Sequence, residues 1–226
     1  MRAETGVFIV SGTGVSFGGG MATGGAVVTG QSVATLEGVG SPVASIQLPD
    51  LFLAAVAERG PSQEDPGTLI EVVRAPWSKL IDYLVRNPAA LHELDPRLFE
   101  TLVAGALQDY GYEDVILTPR SGDEGVDVIA LRHGPFPIRM VVQAKRYRPD
   151  RRVKAAEVRE LLHVLDADRK ATSALFTTTS SFAPGVPTDR TIAPYLTKPG
   201  EPGRLNLMDG VQLVELLASL SEGRDG

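Results

Sequence analysis

The spacing of apolar residues is helical between residues 96 and 110 of the chain. Leu98 and Leu102 recur on one face of that stretch. Asp95, directly before it, is a good N-cap, and Gly111, directly after it, is typical of the C-terminal end of a helix. The pattern therefore predicts a helix that begins after Asp95 and ends at Gly111.

Beyond this helix the period of apolar positions shortens to two, as in β-strands, and later returns to helical spacing. The pattern predicts three strands, a helix with one apolar side, a further strand, a short strand and a final helix. These elements are expected at residues 114–118, 126–131, 138–146, 155–169, 174–178, 206–208 and 211–220. Their order predicts an α/β sandwich with a central mixed β-sheet flanked by helices.

The chain before residue 93 shows a different composition. Residues 1–60 form a glycine-rich N-terminal segment, which predicts either short β-strands joined by glycine turns or a poorly ordered arm, with a short helix near its end. Residues 61–92 begin with a proline-rich and acidic stretch and continue as one or two helices interrupted at Pro76, which predicts a helical linker region. Residues 93–226 form the predicted main domain.

The overall composition is that of an ordinary soluble protein, with 43% apolar and 22% charged residues in a chain of 226. The chain contains no cysteine, so disulfide bonds and thiolate metal sites are excluded. Its three histidines do not have the spacing of zinc ligands. No run of about 18 apolar residues occurs, so we expect no membrane span and a cytoplasmic location.

Charge is distributed unevenly along the chain. The net charge is −6, which by itself argues against a nucleic-acid partner. Residues 119–170, however, contain 12 basic and 8 acidic residues, whereas residues 1–118 contain 6 basic and 14 acidic residues. This local positive excess falls on the stretch that also carries unusual polar residues. A solvated helix face and its loop would give the same excess, and composition does not separate the two interpretations.

Three polar side chains interrupt the apolar runs of the second and third predicted strands. Asp127 lies near the start of one strand, and Gln143 and Lys145 lie two residues apart near the end of the next. Since side chains alternate along a strand, Gln143 and Lys145 project from the same face. If the two strands pair through a turn at 132–137, all three groups meet at one edge of the sheet. The alternative is a buried structural Asp–Lys pair, because an unpaired buried charge is costly.

An aspartate, an amide oxygen and a lysine at one point suit phosphodiester hydrolysis with a divalent metal ion. Mg²⁺, or Mn²⁺ in its place, prefers oxygen ligands, which Asp127, Gln143 and the backbone carbonyl of Ala144 could supply. Such an ion polarises a phosphate and lowers the pKa of a bound water, and Lys145 could orient or deprotonate that water. Glu100, one turn into the preceding helix, is a candidate for a second carboxylate.

Several short motifs occur in order between residues 94 and 185. They are Phe99-Glu100, Gly111-Tyr112, Ser121-Gly122-Asp123, GVDVIA at 125–130, QAKRY at 143–147, VREL at 158–161 and FTTTS at 176–180. Together they resemble the Mrr-type restriction endonucleases of the PD-(D/E)xK nuclease superfamily. The resemblance implies a restriction-endonuclease-like sandwich and Mg²⁺-dependent cleavage of DNA.

The resemblance also implies roles for individual residues. Asp127, Gln143 and Lys145 would be catalytic, and Glu100 would be an accessory acid. A glutamine at the position of Gln143 is usual in this subgroup, so it does not indicate an inactive site.

A cluster of basic residues follows the third predicted strand. Its members are Arg146, Arg148, Arg151, Arg152 and Lys154. These side chains could contact DNA phosphates and steer DNA towards the site. The alternative is a loop whose charges only keep the protein in solution.

The function that these observations favour is a metal-dependent DNA endonuclease in bacterial, antiviral defence against foreign or modified DNA. One alternative is a cleaving effector subunit that a partner or ligand activates through the glycine-rich segment. Another is a non-catalytic DNA-binding module that keeps the nuclease fold. Since cutting both strands of a duplex generally needs two active sites, we expect a homo-oligomer or a partner subunit besides DNA.

Overall fold

The computed structural model describes residues 48–119, 125–197 and 203–222. The glycine-rich segment up to residue 47 and most of the loop expected at 119–125 lie outside the described residues. Within them the helices are α1 (Leu48–Ala55), α2 (Arg74–Arg86), α3 (Pro96–Tyr110), α4 (Ala155–Ala167) and α5 (Gly210–Glu222), with short 3₁₀ helices at Pro88–His92 and Ala193–Tyr195. None of these helices is long and apolar enough to cross a membrane.

The described strands form one large sheet and one small one. They are β1 (Val56–Pro61), β2 (Thr68–Val72), β3 (Asp114–Leu117), β4 (Val128–Arg132), β5 (Ile138–Lys145), β6 (Arg152–Val153), β7 (Ser173–Thr178), β8 (Ser181–Phe182) and β9 (Leu205–Met208). The seven-stranded sheet has the order β1-β2-β3-β4-β5-β7-β9, and β6 pairs with β8 alone. Neighbours are antiparallel from β1 to β5 and parallel from β5 to β9. The prediction of a mixed sheet flanked by helices is confirmed.

Both faces of the large sheet are covered, so there are two apolar cores. On one face α1, α2, α3 and α5 pack against alternate strand residues such as Val142 and Ala144. On the other face α4 packs against the residues between them, such as Val141 and Phe176. A strand that is buried on both faces reads as a continuous apolar run. A polar side chain in such a run is therefore conspicuous.

The β1–β2 hairpin is the main feature that the sequence pattern missed. The pattern predicts a helical linker over residues 61–92, yet β2 occupies residues 68–72 and pairs with β3 through Thr68 and Leu117. The helical prediction is wrong there because β2 has only five residues, of which Ile70 alone is buried, so its sequence shows no clear alternation of apolar and polar positions. Pro76 does not interrupt α2 either, since it lies in the first turn, where its missing N–H costs no hydrogen bond. The domain limits at 60 and 93 stay a prediction.

Helix α2 is tied to the main domain by its tryptophan. Trp77 is fully buried, and its indole N–H donates a 2.8 Å hydrogen bond to Oδ2 of Asp109 in α3. The ring lies against Gly105, where an added Cβ would come within 2.6 Å of the ring carbons. Only a glycine at this position lets the two helices approach this closely.

An ionic network joins the hairpin to the rest of the sheet. Arg139 in β5 donates two hydrogen bonds to the carboxylate of Asp65 (2.7 and 2.8 Å) and one to Asp168 after α4 (2.9 Å). The Arg139 and Asp65 side chains are only 14% and 9% exposed. Replacing Arg139 with Met leaves the Asp65 charge buried without this partner. We expect the free energy of unfolding to fall by about 2–3 kcal/mol, as measured by urea denaturation.

The pH dependence of the free energy of unfolding is a second measurement that reports on the ionic network of Arg139. Burial alone would raise the pKa of Asp168, but the hydrogen bonds from Arg139 and from the Lys170 amide hold it below the ordinary value of 3.8. This contribution to stability is therefore present above pH 3.8 and lost as the pH falls through the lower pKa of the folded state. The deficit of Arg139→Met should shrink on acidification. As a control, Arg59→Met, which breaks only exposed ion pairs, should cost less than about 1 kcal/mol. An equal effect of both variants would contradict the prediction.

Candidate active site

The candidate site lies where β4 and β5 part. Their pairing ends at Val128 and Val142, and β5 continues to Lys145. The backbone N–H of Asp127 still donates to the carbonyl of Val142 (2.8 Å). Two residues further along β5, the Asp127 side chain takes the place of a backbone partner, because its Oδ2 accepts a 2.8 Å hydrogen bond from the amide of Ala144. The carboxylate is thus fixed in the opening between the strands.

The backbone of Ala144 faces the same opening. In a strand the N–H and C=O of one residue point to the same side. Since the Ala144 amide donates to Asp127, its carbonyl also points to that side, beyond the last residue of β4. The structure therefore brings a carboxylate and a backbone carbonyl oxygen to one place.

Gln143 lies in the same region and is almost fully buried, with 3% of its surface exposed. Its Oε1 atom is buried and has no hydrogen-bond partner in the part of the chain that the structure describes. The other end of the amide faces Gly125, whose φ is +85° and where an added Cβ would lie 3.2 Å from Nε2. A buried amide oxygen without a partner is unfavourable unless something else binds it.

Lys145 is two residues beyond Gln143 on β5 and projects from the same face. It is partly exposed, and among the described residues its side chain makes no hydrogen bond or ion pair. Its backbone is held by the neighbouring strand, because its carbonyl accepts hydrogen bonds from the Thr178 hydroxyl (2.7 Å) and the Thr179 amide (3.3 Å). The ammonium group is therefore available beside the Gln143 amide.

The side chain of Arg97 connects Glu100 to this end of the sheet. Nη1 of Arg97 donates to Oε2 of Glu100 (2.8 Å) and to the carbonyl oxygen of Thr118 (2.9 Å). The amide of Thr118 in turn donates to the carbonyl of Asp127 (3.1 Å). Glu100 is thus linked, through Arg97 and Thr118, to the backbone beside Asp127.

These atoms fit a hard divalent cation. Mg²⁺ takes carboxylate, amide and backbone carbonyl oxygens as ligands and keeps several waters. Asp127 offers a carboxylate, Ala144 a carbonyl, and Gln143 a buried oxygen that lacks a partner. The described residues contain no group of three or more His, Asp or Glu side chains arranged for a metal. Amide and backbone oxygens instead make up most of this donor set.

The basic cluster lies beyond β5, on the loop that leads to α4. Arg148, Arg152 and Lys154 are exposed. A cleft of about 630 Å³ runs along this loop and is lined by cationic side chains together with Asp150, Glu157 and the start of α4. The loop therefore presents positive charge next to the end of the strand that carries Gln143 and Lys145.

Tyr147 anchors that loop. Its hydroxyl donates to Glu157 of α4, and the Arg151 guanidinium lies 3.7 Å from the centre of its ring. Glu157 also accepts from the amide of Lys154 and so caps α4. Burial and the Glu157 carboxylate raise the pKa of Tyr147 to about 12, so the phenol stays protonated at neutral pH. Arg151 is thus partly engaged within the protein.

Some residues of the site were not singled out from the sequence. Arg97 could have been found, since it lies one helical turn before Glu100. The contact of Gly125 with Gln143 and the support of β5 by Thr179 depend on how distant segments meet, and no local pattern signals them.

The fold is a mixed sheet flanked by helices, and it carries an aspartate, a glutamine and a lysine near the point where two strands part. The restriction endonuclease family Mrr_cat matches residues 91–217, more than half of the chain. The chain belongs to this restriction endonuclease family. No curated protein matches the chain.

Two solved structures resemble the chain. One is "MspJI Restriction Endonuclease in Complex with 27-mer Oligonucleotide", with 18% identity and a TM-score of 0.40 over 69% of this chain and 37% of that one. The other is "DNA modification-dependent restriction endonuclease AspBHI", with 21% identity and a TM-score of 0.40 over 65% of this chain and 36% of that one. The chain spans little more than a third of the length of either.

Proposed function

We propose that this protein is a Mg²⁺-dependent DNA endonuclease that acts in bacterial defence against foreign or modified DNA. The observation that carries the proposal is the Asp127 carboxylate, which is held on the amide of Ala144 where β4 and β5 part, next in sequence to Gln143, whose buried Oε1 has no hydrogen-bond partner among the described residues. Membership of the restriction endonuclease family supports the same activity.

Each residue of the site has its own role in the proposed reaction. Asp127, Gln143 and the Ala144 carbonyl hold Mg²⁺ or Mn²⁺, which when bound polarises the phosphate and lowers the pKa of a water molecule. Lys145 orients the attacking water or stabilises the negative charge that develops on the phosphate oxygens. Glu100 is the accessory acid, and Arg97 holds it in place.

The basic cluster supplies contacts to the DNA backbone. Arg146, Arg148, Arg151, Arg152 and Lys154 lie directly after β5. Membership of a restriction endonuclease family agrees with a DNA substrate. Phosphate contacts of this kind position DNA without reading its sequence. We propose a homo-oligomer or a partner subunit for cutting both strands, and a cytoplasmic location.

The direct test is cleavage of supercoiled plasmid by the full chain. We expect nicked or linear product with Mg²⁺ or Mn²⁺, and none after the metal is removed with EDTA. Restoring Mg²⁺ should restore cleavage. Cleavage that persists in EDTA would overturn the metal-dependent mechanism. Tight DNA binding without cleavage under any condition would favour a non-catalytic DNA-binding module, and cleavage only with an added protein or ligand would favour an activated effector subunit.

Gln143 provides a sharper prediction for the metal site. Gln143→Leu removes the amide oxygen at similar size, so we expect the Mg²⁺ concentration for half-maximal cleavage to rise about 10-fold or more, because a metal ligand is lost. Gln143→Glu keeps an oxygen and adds charge, so it should keep cleavage and lower that concentration. Metal titration of plasmid nicking measures both. An unchanged metal requirement in Gln143→Leu would show that this oxygen does not bind the metal.

A further inference from the structure

Arg146 differs from the other arginines of the domain. Its Nε atom is buried and has no hydrogen-bond partner. Among the described residues its guanidinium makes no hydrogen bond or ion pair at all. Several arginines of the same domain are instead paired with carboxylates, namely Arg74, Arg97, Arg139, Arg151, Arg159 and Arg204.

Arg146 is only partly buried, but its buried Nε–H has no partner among the described residues, which is unfavourable for a polar group removed from water. Such a group is normally satisfied by a carboxylate or another hydrogen-bond acceptor. The protein supplies such partners elsewhere, as Asp65 and Asp168 do for Arg139. No carboxylate among the described residues plays this part for Arg146.

The backbone around Arg146 is held firmly. On one side the Lys145 carbonyl accepts from Thr178 and Thr179. On the other side the Tyr147 amide donates to the Thr179 hydroxyl (2.9 Å), and the Tyr147 carbonyl contacts that hydroxyl (2.7 Å) and Nδ1 of His92 (2.9 Å). A backbone held in this way fixes where the Arg146 side chain starts relative to the end of β5 before any ligand binds.

The alternation of β5 separates Arg146 from Lys145. Val142 and Ala144 belong to the core on the α3 face, and Arg146 continues this series. Tyr147 packs against the opposite core, on the α4 face, to which Lys145 also belongs by alternation. By this alternation the side chains of Lys145 and Arg146 project to opposite faces of the sheet. The opening beside Asp127 lies between these two faces.

We propose that Arg146 forms a binding site for a phosphodiester group of the DNA strand that is being cut, on the α3 side of the sheet. The inference rests on the proposed nuclease function and deepens it. The guanidinium presents parallel N–H groups that match two oxygens of a phosphate, which an ammonium group does not. The exposed arginines Arg148 and Arg152 attract DNA from solution, whereas Arg146 fixes one phosphate in register with the metal ligands.

The test compares stability, DNA binding and cleavage in three variants of the full chain. Arg146→Met removes the charge but keeps much of the length, so the melting temperature should stay the same or rise. Cleavage of plasmid under single-turnover conditions should fall about 10- to 100-fold, as for loss of one transition-state donor. The salt dependence of binding to a duplex oligonucleotide in EDTA should also weaken by about one unit of log–log slope. Arg146→Lys should recover the slope but only part of the cleavage rate.

Thr177→Val is the matched control. The Thr177 hydroxyl is another buried group without a partner, on a fully buried residue of β7. Removing it should preserve or raise the melting temperature and leave both cleavage and the salt slope unchanged. The comparison separates the removal of a buried polar group from the loss of a phosphate contact.

The outcomes distinguish this inference from the proposed function. If the wild-type protein cleaves DNA and Arg146→Met cleaves as fast with an unchanged salt slope, the phosphate site is overturned and the nuclease proposal stands. If both Arg146→Met and Arg146→Lys melt at clearly lower temperature, Arg146 is structural and the inference is also wrong. If the wild type does not cleave but the slope still falls in Arg146→Met, the nuclease proposal fails and the phosphate site stands.

Discussion

Replacing Asp127 with Asn should reduce DNA cleavage by about 1000-fold or more while leaving DNA binding within about twofold. The substitution keeps the size of the side chain, and an amide oxygen can still accept the hydrogen bond from Ala144. What is lost is the negative charge that, under the proposed function, holds the metal ion. Metal-ion catalysis contributes several kcal/mol to stabilising the transition state, and about 4 kcal/mol corresponds to a factor of 1000 in rate.

The measurement is single-turnover nicking of plasmid with saturating Mg²⁺, beside binding to a duplex oligonucleotide in EDTA. Asp50→Asn makes the same chemical change on an exposed residue of α1 and should cleave like the wild type. Lys145→Met should resemble Asp127→Asn in the loss of cleavage, but Mg²⁺ affinity should be unchanged. A cleavage rate of more than about a tenth of the wild-type rate in Asp127→Asn would show that this carboxylate is not a metal ligand.

Replacing Trp77 with Ala should destabilise the entire domain, although the residue lies outside the stretch that the family match covers. Trp77 is fully buried, packs on Gly105 and hydrogen-bonds Asp109. Removal of a buried tryptophan typically costs about 3–5 kcal/mol, because a large cavity remains. We therefore expect the urea midpoint of unfolding to fall sharply in a single transition that also abolishes cleavage.

The matched variant is Trp77→Phe, which keeps most of the ring and loses only the hydrogen bond to Asp109. It should cost about 1–2 kcal/mol, as expected for a lost hydrogen bond to a charged group plus a small loss of volume. If instead Trp77→Ala melted the helix before residue 93 separately, with cleavage intact, α2 would be an independent unit. Circular dichroism followed together with cleavage during unfolding distinguishes the two results.

Helices and strands could be predicted from the sequence where residues within the same segment determine them. Helix α3 was predicted at both ends, because Asp95 caps it through a hydrogen bond to the amide of Arg97 and Gly111 adopts a left-handed φ of 111°. The strands β3 to β5 follow from alternation and apolar runs. The strand β1 could not be found in this way, because an exposed edge strand buries too little of either face to leave an apolar pattern.

The candidate site was predictable in its members but not in its geometry. Polar residues in apolar strands mark Asp127, Gln143 and Lys145, and the resemblance to a nuclease family assigns their roles. The sequence does not reveal that the Asp127 carboxylate replaces a backbone partner of Ala144, or that the Gln143 oxygen lacks a partner. Both features depend on where β4 ends relative to β5. That position is set by the register of the two strands across the turn between Arg132 and Ile138. The roles of these residues stay predictions until variants are measured.

The irregular outer strand of the sheet limits how two copies can assemble. In β1 the register shifts between Glu58 and Gly60, and the strand is mostly exposed and charged. A kinked, charged border discourages a further strand from joining there, which protects against fibrils and sheet-to-sheet polymerisation. Two copies brought together on a duplex to sever both backbones would therefore not meet through this border.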